Sequence, residues 1–153
     1  MVILDEAHFS NKRLESELVN KWLWEEHRNS LQWRRVRLGP LPTHEMARMY
    51  MVTLRFADAI YIEDGYVNIV EAKLKPTAGV VGQLFQYRDL FPQTHEFSAY
   101  KDFSIRLILL TPFLALDVVE FCSKHDIKYE LWDTDPVVRE GLKGKIEKIL
   151  ASQ

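Results

Sequence analysis

The sequence predicts an α/β domain with a mixed central β-sheet and helices on both of its faces. Three observations carry that prediction. Residues 66–74, "YVNIVEAKL", are apolar on both alternating faces, the pattern of a strand in the middle of a sheet. Residues 55–62, "RFADAIYI", form a second strand, and "EDG" between the two is a strong hairpin signal. Downstream, strand and helix patterns alternate, which calls for parallel neighbours joined by a right-handed crossover. A chain of 153 residues suits a single domain over 1–153, with a core of its own.

Residues 11–27 place Leu14, Leu18, Val19, Trp22 and Leu23 at helical spacing, with Asn11 as the expected N-cap. "WRRVRL" (33–38) follows as a strand, closed by Gly39-Pro40 and Pro42. The methionine-rich segment 43–54 fits a short helix and an extended run equally well. After the hairpin, residues 76–91 read as a helix with Thr77 as its N-cap and a Val80, Leu84, Tyr87, Phe91 stripe. Gly79 and Gly82 weaken that helix and suggest a close approach. Residues 103–111 are a buried strand, 114–125 a helix and 127–132 a strand. A last helix starts near Asp135-Pro136, proline being favoured at the first helical position, and runs to about Leu150.

Hydrophobic residues make up 47% of the chain and charged residues 27%, an ordinary globular balance. No apolar stretch is long enough to span a bilayer, so no membrane role is expected. "MVILDEAHFS" carries acids where a secretory signal has a basic flank, so no export signal is read. A single cysteine, Cys122, excludes an internal disulfide framework and a cysteine-rich metal site, and suits a cytoplasmic protein. None of the five histidines pairs with another at metal-ligand spacing, and no glycine-rich phosphate loop is present. The net charge of −2 neither announces nor excludes a polyanionic partner, because local patches govern binding. The densest basic patch holds Arg34, Arg35 and Arg37, and Lys75 and Arg88 lie around the central strand.

That strand ends in Glu71-Ala72-Lys73, two opposite charges closing an apolar run. If Asp64-Gly65 is the whole hairpin loop, the partners are Ile62 with Val67, Ile60 with Ile69, Asp58 with Glu71 and Phe56 with Lys73. Opposed side chains have Cβ atoms ~4.5–5.5 Å apart, so the register sets two carboxylates together. They need either a shared proton or a cation between them. Hard divalent ions such as Mg²⁺ bind one or two carboxylates and keep several waters, and Lys73 on the same face would bring an ammonium beside such a water. That is chemistry for hydrolysing a phosphodiester. A three-residue "EDG" loop would slip the register by one and face Asp58 away. Glu71 and Lys73 could also be a plain ion pair at a strand end.

Glu15 sits at the edge of the apolar face of the first helix, as a further ligand, a contact for a metal's water shell, or a helix-surface acid. Glu17 points to solvent. Gln83 and Tyr87 are helical neighbours, with Tyr87 in the apolar stripe and Gln83 able to reach the strand end that carries Lys73.

"RFADAIYI", "IVEAKL" and "GQLFQYRDL" resemble the successive motifs of the PD-(D/E)XK nuclease superfamily, whose glutamine–tyrosine helix is of the RecB type. "RLESELV" is similar to the first helix of the archaeal Holliday-junction resolvases. The resemblance spans about residues 10–132. It implies a restriction-endonuclease-like α-β-β-β-α-β core, here followed by a further α-β unit and a C-terminal helix. It also implies Mg²⁺ or Mn²⁺ at Asp58 and Glu71 with help from the Ala72 carbonyl and from Glu15. Lys73 would position the attacking water, and Gln83 and Tyr87 would support the site or touch the DNA. Alanine precedes Asp58 where the family name has proline, and the cysteines of the iron–sulfur subgroup are absent. The expected activity is a metal-dependent deoxyribonuclease, with Arg34, Arg35, Arg37, Lys75 and Arg88 on DNA phosphates. Chains of this kind also act as homodimers or in larger DNA-processing complexes. The alternative is a non-catalytic nucleic-acid-binding or assembly module on the same fold.

Overall fold

Five strands form one sheet in the order β1-β2-β3-β4-β5. They are β1 Leu31–Leu38, β2 Arg55–Glu63, β3 Tyr66–Ala72, β4 Ser104–Thr111 and β5 Ile127–Leu131. A computed structural model of the chain describes residues 2–49 and 54–152, with side chains from residue 11 onward except those of 47 and 49. The first three strands are antiparallel neighbours, and β3, β4 and β5 run parallel. The sheet is therefore mixed, and β3 is its central strand, as the apolar run requires.

The hairpin turn is the two-residue one. Ile62 pairs with Val67 and Ile60 with Ile69, and Asp64 and Gly65 hold φ of 55° and 79°. Two consecutive left-handed residues match the twist of the flanking strands, which is why Asp-Gly is favoured there.

Alternation along β3 divides the interior into two cores. Val67 and Ile69 join Val80, Val81, Leu84 and Tyr87 of α3 (Gly79–Leu90) and Val118 and Cys122 of α4 (Leu116–Lys124). Val70 and Ala72 face the other way, against Leu18, Val19, Trp22 and Leu23 of α1 (Val2–His27). Burying a leucine of this stripe contributes roughly 1.5–3 kcal/mol, enough for a few such residues to anchor α1. The C-terminal helix α5 (Pro136–Ala151) caps with Asp135, whose side chain accepts from the Val137 amide, and Arg139 ties it to Glu25 at 2.8 Å. Among the described residues no helix is long and apolar enough to cross a membrane.

Some boundaries differ from the sequence reading. Helix α1 begins at Val2, so Asn11 lies inside it and caps nothing. Helix α3 begins at Gly79 behind Ala78, and Thr77 makes no side-chain cap. Segment 43–54 contributes the short helix α2 (His44–Met49), while 50–53 lie outside the described residues. Two short 3₁₀ turns, Phe91–Gln93 and His95–Tyr100, follow α3. They bring Thr94 under Gly39, whose amide donates to the Thr94 hydroxyl at 2.8 Å. Gly39 has φ 98°, a conformation that strains any residue with a side chain, and a Cβ there would stand 3.1 Å from the Leu90 side chain.

Candidate active site

Strands β2 and β3 part company beyond the pair Ala59–Val70, so Asp58 and Glu71 do not pair through the ladder as the extended register has them. In its place the Asp58 side chain bridges the gap, its Oδ2 accepting from the Ala72 amide at 2.7 Å. Glu71 is buried and points toward α3, where Gln83 and Tyr87 meet it. Gln83 Nε2 donates to Glu71 Oε2 at 3.1 Å and to the Tyr87 hydroxyl oxygen at 2.8 Å. The Tyr87 hydroxyl lies 3.2 Å from Glu71 Oε1 and 2.9 Å from the Phe56 carbonyl, and its one proton serves one of them at a time. The helical spacing of Gln83 and Tyr87 delivers both side chains to one carboxylate. Lys73, one residue past the end of β3, places Nζ 3.9 Å from Glu71 Oε2 with about a third of its side chain exposed (34%).

Burial, then the charge of Asp58, pushes the Glu71 carboxyl from 4.5 up to about 9, with Lys73 pulling the other way. Burial and the neighbouring Glu71 raise the Tyr87 phenol, so it stays a neutral hydrogen-bond donor. An acid held neutral only by crowding and lost solvation is a group that a divalent cation would ionise. The two carboxylates with Lys73 alongside therefore fit a hard metal ion by their donor chemistry.

Asp58 also lines a small cavity of 140 Å³ beneath α1, with Lys12, Glu15, Ser16, Asn20, Arg34 and Arg35. Glu15 is half-buried there, as its helical position implies. Among the described residues no group of three or more His, Cys, Asp or Glu side chains forms a metal cluster, and Glu15 lines the same cavity as Asp58. Glu17 is exposed, 3.9 Å from Arg13.

The basic residues separate. Arg34 donates to Asn20 and Gln32 at 2.8 Å each, both neutral, and Arg35 lies over the Phe56 ring at 4.7 Å. Arg37 is engaged elsewhere, bonded to Glu96 at 2.7 Å and only 16% exposed. Lys75 is exposed just past the site, and Arg88 stacks over Phe85 on the outside of α3.

Sequence reasoning missed the Asp58–Ala72 amide contact, the Tyr87–Phe56 carbonyl contact and the cavity neighbours Lys12 and Asn20. The first two involve backbone atoms, which leave no mark on residue identity.

No protein-family model matches the sequence, and neither does any curated protein. Among solved structures, the chain is similar to a repair endonuclease from Pyrococcus abyssi, known from its crystal structure. The match has a TM-score of 0.50 and 16% identity, and covers 78% of this chain and 47% of that one. The fold is thus nuclease-like, a mixed five-stranded sheet flanked by helices. The chain spans about half the length of that endonuclease.

Proposed function

We propose that the chain is a metal-dependent deoxyribonuclease that hydrolyses phosphodiester bonds at the split end of β2 and β3. The observation that carries this reading is the buried Glu71 carboxyl, held between Gln83, Tyr87 and Lys73 next to Asp58. A site built only for stability would not bury the Glu71 carboxyl beside a second acid, where burial penalises its charge. The nuclease-like fold is consistent with it.

Asp58, Glu71 and the Ala72 carbonyl would hold Mg²⁺ or Mn²⁺, with Glu15 assigned to the water shell. When bound, the ion supplies a Lewis acid that lowers the pKa of water and offsets charge developing on the phosphate. The protein residues do the rest. Gln83 and Tyr87 fix the Glu71 carboxylate so that it need not reorganise as charge builds. Lys73 orients the attacking water and stabilises the pentavalent phosphate. Arg34, Arg35 and Lys75 take flanking phosphates, contacts that position DNA without reading its sequence, and Arg88 extends that basic surface along α3.

Calorimetric titration with Mn²⁺ tests the reading without a substrate. The wild-type chain should bind, and Asp58→Ala and Glu71→Ala should each lose the binding. No binding to the wild-type chain would sink the nuclease and leave a non-catalytic nucleic-acid-binding or assembly module.

A further inference from the structure

We propose that Arg35 is a positioning residue, whose left-handed backbone in mid-strand turns Asp58 out of the sheet's α3 face and into the cavity beneath α1. This rests on the reading of Asp58 as a metal ligand.

Arg35 has φ 48° within β1, a conformation that non-glycine residues rarely adopt and that strands do not use. The β1–β2 ladder registers Arg34 with Ala59 and Val36 with Ala57 and passes over the pair Arg35–Asp58 between them. Both strands change face at that step. On β1, Trp33 and Val36 pack on the same α3-side core although three residues apart. On β2, Ala57 lies in the α3-side core and Ala59 in the α1-side core, although regular alternation would put them together.

The consequence falls on Asp58. In a regular strand Asp58 would share a face with Ile60, which lies in the α3-side core together with Tyr87. There it would lie inside a closed, apolar layer. With the twist it lines the α1-side cavity and still reaches the Ala72 amide at 2.7 Å. The two carboxyl groups meet at the split between β2 and β3, Glu71 held by α3 and Asp58 open to the cavity. Such strain persists only where surrounding contacts over-determine it and tends to mark functional positions. Here the Arg35 guanidinium over Phe56 and the Tyr87 hydroxyl on the Phe56 carbonyl clamp the strand next to the kink.

Conformation and charge at position 35 are separable. Arg35→Gly, Arg35→Asn and Arg35→Ala all delete the guanidinium, but glycine and asparagine accept positive φ and alanine does not. In a regular strand glycine is the worse residue, so the order of stabilities reports the backbone directly. We expect the midpoint of thermal unfolding to be higher for Arg35→Gly than for Arg35→Ala. The reverse order would overturn the proposal.

Hydrogen exchange at the Ala72 amide, read by nuclear magnetic resonance without metal, tests the effect on Asp58. Arg35→Gly and Arg35→Asn should keep Ala72 slow, as in the wild-type chain, and Arg35→Val should speed it at least tenfold. Slow exchange in folded Arg35→Val would overturn the proposal, and if that variant does not fold the glycine–alanine comparison decides. Failure of the wild-type chain to bind Mn²⁺ would remove the metal from Asp58, a separate result that neither measurement on Arg35 depends on.

Discussion

The Asp58 carboxylate accepts a hydrogen bond from the Ala72 amide at 2.7 Å, across the point where β2 and β3 stop pairing. One side chain thus completes the backbone hydrogen bonding of the strand end beside the Glu71 carboxyl. The same residue serves the fold and the proposed chemistry, so its removal should affect both.

The pH dependence of stability should report Glu71. Its carboxyl titrates at about 9 in the folded chain against 4.5 ordinarily, because of burial and the charge of Asp58. The folded state therefore holds a proton that the unfolded chain has released. Without metal, this contribution to stability is full below about pH 4.5 and is lost as the pH rises toward 9 and beyond, by at most ~1.4 kcal/mol per pH unit. Urea unfolding of the metal-free chain should show this decline between pH 5 and 8, and Glu71→Gln should flatten it. Parallel profiles for the two proteins would contradict the placement of that proton.

Tyr87→Phe keeps the ring that fills the α3-side core and removes only the hydroxyl. The Phe56 carbonyl and Glu71 Oε1 lose the one proton they share, and Gln83 loses an acceptor. Leaving such buried groups unsatisfied costs about 1–3 kcal/mol, to be read in the unfolding free energy. A loss indistinguishable from zero would mean that the hydroxyl is idle.

The basic residues should divide by what already neutralises them. Arg34 donates to the neutral side chains of Asn20 and Gln32 and Arg35 lies over a ring, whereas Arg37 is paired with Glu96. Binding of duplex DNA, followed against salt, should lose about 0.9 from the slope of log K for each phosphate contact removed. Arg34→Ala and Arg35→Gly, which keeps the backbone at position 35, should each flatten the slope by about that amount, and Arg37→Ala should leave it unchanged. Equal slopes for all three would contradict the assignment.

Much of this architecture was legible in the sequence because it rests on periodicity and turn chemistry. The apolar run of β3 required a central strand, and Asp64-Gly65 specified the two-residue turn that sets the register of Ile60 with Ile69. The helical spacing of Gln83 and Tyr87 anticipated their meeting, and both reach Glu71. What escaped was the geometry beyond the last ladder pair. A register argument extends strands in straight alternation, and an arginine at φ 48° breaks it without any sequence signal, since arginine carries no preference for that conformation. Helix α1 likewise ran past Asn11, because a capping residue type signals a terminus only when the preceding chain leaves the helix.

The most direct test of the central claim is cleavage of a panel of labelled DNA structures by the wild-type chain, Lys73→Ala and Glu71→Ala, with Mg²⁺ or Mn²⁺ and with a chelator. Wild type plus metal should give shorter products, and either variant or the chelator should reduce them at least a hundredfold. Undiminished cleavage by Glu71→Ala, or no cleavage of any structure by the wild-type chain, would contradict it.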